Sequence, residues 1–296
     1  MPFKIAIDCD DCICATNEDV KNRHNKTYNT NWCINDFHYY HYWKNVGWGT
    51  PQETFEKVTK YYNNENGGLE LTSPVEGAKE GLKILKDLGF ELVIVTARNE
   101  NQRTMTKKWL DHHFDGLFDK LYFTGQFTSN GDLEADNEGV PIKKDDRSLT
   151  HLTKADIIDK IDAKLLVDDS IENAFNCASH KRQCGSLKGK PIHTLLFSPF
   201  PPDDKIPIWH YPWNVEISKQ ESEDDYLSYS QRKDKGLSTG ENRKPTELLP
   251  DIERVKSWNH IVERIIEIDS YSHSSQPSII NTLTDKQNLN SVNVQA

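Results

Sequence analysis

Asp8 and Asp10 stand one residue apart, directly after the apolar run Ile5-Ala6-Ile7. Carboxylates this close repel each other and are costly to desolvate. A bound divalent cation relieves both problems, leaving one carboxylate free to act as a nucleophile and the other to move a proton. A second apolar run, Leu92-Val93-Ile94-Val95, ends in Thr96-Ala97-Arg98. The Thr96 hydroxyl and the backbone N–H groups after it can hold a phosphate oxygen. Arg98 can assist an anion there or form an ion pair at the next helix start. Lys154 precedes a third run, Leu165-Leu166-Val167, which ends in Asp168-Asp169. A lysine offsets the charge of an anionic nucleophile and its phosphate, and a further acidic pair adds hard oxygen ligands suited to Mg²⁺.

These groups need a scaffold that brings distant strand ends together. β-Branched runs ending in polar residues read as buried strands. The segment from Ala78 to Leu88 has apolar residues at Ala78, Leu82, Leu85 and Leu88, a helical stripe closed by Gly89. Short helix–loop–strand spacing of this kind builds a parallel sheet, and ligands of open α/β sheets sit beyond the C-terminal strand ends. Further strands are expected at Lys120–Phe123 and Ile192–Phe197, and helices at Asn101–Phe114, from Lys154 to Ile161, at Ile171–Lys181 and at Ile252–Ile268.

The stretch from Ala15 to about Ser73 has a different character, rich in Asn, Tyr, Trp and His. It carries helical patterns from Asn17 to Tyr28 and from Thr50 to Asn63, the second opened by an N-cap and a proline at the first helical position. It reads as a mainly helical insertion lying over the strand ends. Its aromatics build a small core of their own, with one or two able to stack on a planar substrate. Residues 129–149 read as a polar surface loop, 199–213 as a rigid segment rich in proline and aromatics, and 218–246 as a charged, flexible insertion. From 269 to 296 the chain is rich in Ser, Asn and Gln and reads as a disordered tail.

The chain has 296 residues, 35% hydrophobic and 28% charged, with a net charge of −10. That balance disfavours duplex nucleic acid as a partner. No run approaches the length of a membrane span, and the N-terminal apolar stretch is too short for a signal peptide. Six cysteines, three of them crowded at Cys9, Cys12 and Cys14, suggest a reduced cytoplasmic or nuclear protein. A Cys-x-x-Cys half-site for zinc is present at Cys9 and Cys12, without a second half of matching spacing.

The four stretches together resemble the motifs of the haloacid dehalogenase superfamily: Asp-x-Asp after a strand, Thr after a second strand, a lysine, and an acidic pair after a third. The family usually carries Thr or Val where this chain has Cys12. The resemblance covers about Phe3 to Ile268. It implies a Rossmann-like three-layer α/β core (residues 1–14 and 74–268) with a parallel sheet, and a helical cap over 15–73. It also implies Mg²⁺-dependent phosphoryl transfer through an aspartyl-phosphate. Carried over, Asp8 is the nucleophile, Asp10 the general acid and base, and Lys154 the orienting cation. Thr96, Ala97 and Arg98 bind substrate phosphate. Asp8 and Asp10 (through its carbonyl) hold the metal together with Asp168, Asp169 or both. The Pro74-Val75-Glu76-Gly77-Ala78 entry to the helix is similar to that of the 5′(3′)-deoxyribonucleotidases, which implies a small phosphorylated substrate such as a nucleotide. A phosphotransferase, a protein phosphatase of the aspartate-based class and a non-catalytic binding module stay open at this stage. The oligomeric state is not legible.

Overall fold

The computed structural model describes residues 3–62, 68–125, 136–137, 140–141, 152–217 and 226–274. In chain order the elements are β1 (Lys4–Ile7), α1 (Thr16–Tyr28), α2 (Pro51–Tyr62), α3 (Ala78–Asp87), β2 (Glu91–Thr96), α4 (Arg103–Phe114), β3 (Lys120–Phe123), β4 (Asp136–Asn137), β5 (Val140–Pro141), α5 (Lys154–Lys160), β6 (Leu165–Asp168), α6 (Ile171–Ser179), β7 (His193–Phe197), α7 (Tyr229–Asp234), β8 (Ile252–Val255) and α8 (Trp258–Ser274).

Six strands form one sheet in the order β3-β2-β1-β6-β7-β8, every pair parallel. The apolar runs make this arrangement necessary. Helices cover both faces of a parallel sheet, so its central strands carry apolar side chains on both sides. Ile5, Ile7, Leu92, Ile94, Leu165 and Val167 point into one core layer, while Ala6, Val93, Val95 and Leu166 point into the other. Alternation along each strand therefore fills both layers. The first layer is closed by α3 and α8, which pack so tightly that a Cβ on Gly81 would come within 2.9 Å of the Trp258 ring. The second is closed by Ala155, Ile157 and Ile158 of α5 and by Cys177 of α6.

From β1 the chain moves to β2 and β3 on one side, then to β6, β7 and β8 on the other. The direction of winding thus reverses beside β1, and the C-terminal end of that reversal point is where an open α/β sheet binds ligands. The register fixes what lies there. Ile7 pairs with Ile94 and Val167, so Asp8 follows directly beside the ends of β2 and β6.

In the segment between β1 and α3, His24, Trp32, Phe37, Tyr42 and Trp48 pack ring against ring, with Tyr42 and Trp48 stacked at 4.6 Å. The Thr50 backbone N–H donates to Glu53 and the Glu53 N–H to the Thr50 hydroxyl, a capping box at the start of α2.

Two elements differ from expectation. Ile252 and Val255 are spaced as helix neighbours, but Ile252–Val255 forms the edge strand β8, paired to β7. The helix begins only at Trp258 and runs past Ile268 to Ser274. In the insertion at 218–246, residues 226–246 contain α7 and dock onto the segment before α2. The Tyr39 hydroxyl donates to the Ser238 carbonyl at 3.0 Å and Arg243 Nη1 to the His38 carbonyl at 3.1 Å. Charge is used here for docking, and a reading based on apolar content does not register it. Of the loop expected over 129–149, only the antiparallel pair β4–β5 lies within the described residues. Residues 218–225 and 275–296 lie outside them.

Candidate active site

The site is built on the turn that leaves β1. The Asp8 N–H donates to the Val167 carbonyl at 2.9 Å, which holds the first aspartate against β6. The chain then turns sharply. Asp11 takes the left-handed region at φ 52°, and the Ile13 and Cys14 N–H groups donate to the Cys9 carbonyl. Aspartate tolerates that backbone better than most residues. Trp258 Nε1 donates to the Cys12 carbonyl at 2.9 Å and the Tyr211 hydroxyl to the Asp11 carbonyl at 3.1 Å, so distant elements pin the turn.

Lys154, the first residue of α5, is 2% exposed. Its Nζ stands 2.8 Å from Asp8 Oδ1 and 2.6 Å from Asp168 Oδ2. Burial pushes the lysine's pKa down, but Asp168 and Asp8 outweigh it and hold the ammonium charged. Asp168 also accepts from the Ser170 N–H at 2.9 Å and Asn173 Nδ2 at 3.2 Å. Asp169 accepts from Trp213 Nε1 at 2.6 Å. Burial pushes the Asp8 carboxyl up to about 7 against the pull of Lys154. Burial also pushes Asp169 and Asp11 well above the usual carboxylate range.

Asp10 is placed differently. Its carboxylate faces Arg98 of the β2 end, with Arg98 Nη2 to Oδ1 at 2.6 Å and Nε to Oδ2 at 2.9 Å. The Thr16 hydroxyl donates to Oδ1 as well. Burial pushes Asp10 up, yet the Arg98 charge and these hydrogen bonds overcome it and hold the carboxyl below its ordinary value. Thr96, fully buried, ends β2, and its hydroxyl accepts from the Arg98 N–H at 3.2 Å. Ala97 is nearly buried between them.

Among the described residues, Asp8, Cys12 and Asp169 bring ligand atoms within 4.8 Å of one another. Asp168 shares Lys154 with Asp8 and is bonded to Asn173, and Asp169 is the member of the acidic pair that joins Asp8 in this group. Two buried carboxylates that are costly to ionise alone fit a hard divalent cation such as Mg²⁺. The Cys12 thiol is a soft donor, and burial together with Asp169 and Asp8 holds it protonated. It is no natural partner of Mg²⁺.

The structure thus joins Asp8, Lys154, Asp168 and Asp169 in one cluster, sets Asp10 against Arg98, and puts Thr96 on the adjacent strand end. Sequence reasoning missed Trp213, Thr16 and Asn173. Asn173 was within reach of it, being three residues past the N-cap Ser170 on the helix that follows the acidic pair. Trp213 was visible only as part of an irregular aromatic stretch. Half-buried Tyr40 senses the cluster, its hydroxyl being pushed well up by burial and by Asp8, Asp169, Asp168 and Asp10. The Tyr62 ring lies 5.8 Å from the Arg98 guanidinium.

Residues 2–136 match the family model described as 5′ nucleotidase, deoxy (Pyrimidine), cytosolic type C protein. That stretch, just under half the chain, contains the first two motifs. The resemblance read from Asp8, Asp10 and Thr96 is thereby borne out, and with it the reading of a phosphatase-type hydrolase. No curated protein matches the chain in sequence. A solved structure titled a predicted phosphatase from Clostridium acetobutylicum is 15% identical, covering 90% of this chain and 99% of its own, at a TM-score of 0.44. D,D-heptose 1.7-bisphosphate phosphatase from B. bronchiseptica, complexed with magnesium and phosphate, is 10% identical over 90% of this chain and 98% of its own, at 0.38. At such scores the chemistry rests on this chain's own residues.

Proposed function

We propose that this chain, whose first half matches a nucleotidase family, hydrolyses a small phosphate monoester by transferring its phosphoryl group to Asp8 and then to water. The observation that carries the reading is the Lys154 ammonium clamped between Asp8 and Asp168, with Asp169 facing Asp8 from the next residue.

Asp8 is a weak nucleophile. Lys154 fixes one of its oxygens and offsets its charge, so that the carboxylate is held desolvated and in line with phosphorus. In the first step an Asp8 oxygen bonds to phosphorus while the ester P–O bond breaks, and Asp10 gives its proton to the leaving oxygen. In the second step water attacks the phosphorus of the aspartyl-phosphate. Asp10 takes the water's proton, inorganic phosphate leaves, and the Asp8 carboxylate is restored. Asp10 is held ionised in the resting site, so the proton it first donates enters with a substrate phosphate, whose second pKa is about 6. Thr96 and the Ala97 backbone N–H lie at the strand end where phosphate oxygens collect. Asp8, Asp169 and the Asp10 carbonyl would hold Mg²⁺, which supplies further charge neutralisation of the phosphate when bound.

A nucleotide substrate is supported by the family match and by Tyr40 and Tyr62, which bring aromatic rings of the inserted segment to the cluster. The test is phosphate release from a panel of nucleoside monophosphates and sugar phosphates, with Mg²⁺ and with EDTA. Turnover that needs the metal and is lost in Asp8→Asn supports the reading. Turnover that survives Asp8→Asn rejects it.

A further inference from the structure

We infer that Arg98 is a positioning residue for Asp10 and not a ligand of the substrate phosphate; the inference rests on the phosphatase reading above. The Arg98 side chain is almost wholly buried and already committed. Its Nε and Nη2 form a two-pronged contact with the two Asp10 oxygens at 2.9 and 2.6 Å. On the other side Nη1 donates to the Thr106 hydroxyl of α4 at 3.0 Å. Tyr62, the last residue of α2, lays its ring 5.8 Å from the guanidinium carbon. The backbone is fixed too, since the Arg98 carbonyl accepts from Gly125 at 3.1 Å. A planar fork held at this many points has one orientation, and so has the carboxylate it grips.

The consequence for Asp10 follows from counting acceptor sites. An ionised carboxylate offers about four lone-pair positions. Arg98 occupies one on each oxygen, and the Thr16 hydroxyl takes a second on Oδ1. Among the described residues nothing takes the second position on Oδ2, so the proton that passes to the leaving group, and later comes from water, has a single seat there. Turning Arg98 toward a phosphate would dismantle this arrangement and strand Asp10 without its partner, which costs more than leaving a pair intact. Tyr62 ties the arrangement to the inserted helical segment, so that segment supports the acid–base residue as well as covering the site.

The leaving group discriminates between the two roles. A p-nitrophenolate departs without a proton, whereas the alkoxide of a nucleoside 5′-monophosphate needs one, and kcat/KM reports the steps up to that departure. Wild type, Arg98→Gln, Arg98→Lys and Thr106→Val are assayed with both esters. Orthophosphate binding is measured by calorimetry in the Asp8→Asn background, with and without Arg98→Gln. Arg98→Gln is expected to lower kcat/KM for the nucleotide about 100-fold, the scale of general acid catalysis, with a loss of at most about fivefold for p-nitrophenyl phosphate. Arg98→Lys keeps the charge but not the fork and should follow Arg98→Gln. Thr106→Val, a milder change that leaves the Asp10 contact in place, should shift the ratio of the two esters in the same direction by a smaller factor. Orthophosphate affinity should hold within about twofold. Equal losses on both esters with orthophosphate binding weakened about tenfold would make Arg98 a phosphate ligand, overturning the inference while the phosphatase reading stands. Wild type inert on both esters would overturn the reading and the inference together.

Discussion

Replacing Lys154 by Met leaves Asp8 and Asp168 as buried carboxylates without their shared cation. At an effective dielectric of about 20, a unit charge pair at the observed 2.6–2.8 Å attracts by roughly 6 kcal/mol. Dehydration of each ion offsets most of this, so the intact cluster adds little net stability. Removing one partner is another matter, because the dehydration cost of the others persists, and the loss is about 3–5 kcal/mol. Two features point to the lower end. Asp8 can take up a proton, and Asp168 keeps its bonds from the Ser170 N–H and Asn173. The expected loss for Lys154→Met is therefore about 3 kcal/mol, read by urea unfolding with far-UV circular dichroism in EDTA. Adding Asp168→Asn should recover part of it, since the orphaned charge is then gone, and the double variant should differ from the sum of the singles by at least about 1 kcal/mol. A loss under about 1 kcal/mol with additive singles would refute the view that this ion cluster is tightly coupled.

Asp169→Asn should weaken Mg²⁺ binding at least about tenfold in calorimetry while Asp168→Asn acts mainly through stability, because Asp169 shares the candidate ligand group with Asp8 and Asp168 is bonded to Lys154 and Asn173. Trp213→Phe removes the indole donor to Asp169 and should weaken the metal by roughly tenfold; because Trp213 is buried and stacked on Tyr211, it should also lower the melting temperature, so affinity is read well below it. Asp8 is ionised above about 4 in the unfolded chain but keeps its proton up to about 7 in the fold, so this group makes the metal-free protein less stable as pH rises through that window. Mg²⁺ binding at pH 6 should accordingly release protons, visible as a dependence of the binding heat on the buffer's ionisation enthalpy. At saturating Mg²⁺, which keeps Asp8 ionised, and because Asp10 is held ionised, kcat/KM on an alkyl phosphate should fall as pH rises above about 6, where the substrate loses its own proton. A rate that rises through pH 7 would contradict that proton path.

Much of the fold was legible because the parallel sheet writes itself as uninterrupted apolar runs, and each run ends at, or one residue before, the end of its strand. Helix limits set by local chemistry were legible for the same reason, as with Thr50-Pro51 before α2 and Gly89 after α3. The edge strand β8 was not, since Ile252 and Val255 have a helical spacing, whereas in the strand they point to opposite faces and are both buried. In the site, the residues that follow strand ends could be read from position alone. Their partners could not, because Arg98 and Trp213 reach the aspartates from elements far apart in sequence, and Thr16 reaches Asp10 only through the sharp turn at Asp11. Arg98 shows the difference most clearly. Its place after Thr96 suggests a phosphate, and its neighbours in space give it to Asp10.

The central claim is that Asp8 becomes phosphorylated during turnover. Wild type and Asp8→Asn are mixed with substrate and Mg²⁺, quenched in acid within milliseconds, digested and examined by mass spectrometry. A phosphoryl adduct on the peptide that holds Asp8, lost on treatment with hydroxylamine and absent from the variant, is the expected result. Steady release of phosphate with no adduct on that peptide at any quench time, or an adduct that persists in Asp8→Asn, would contradict the account.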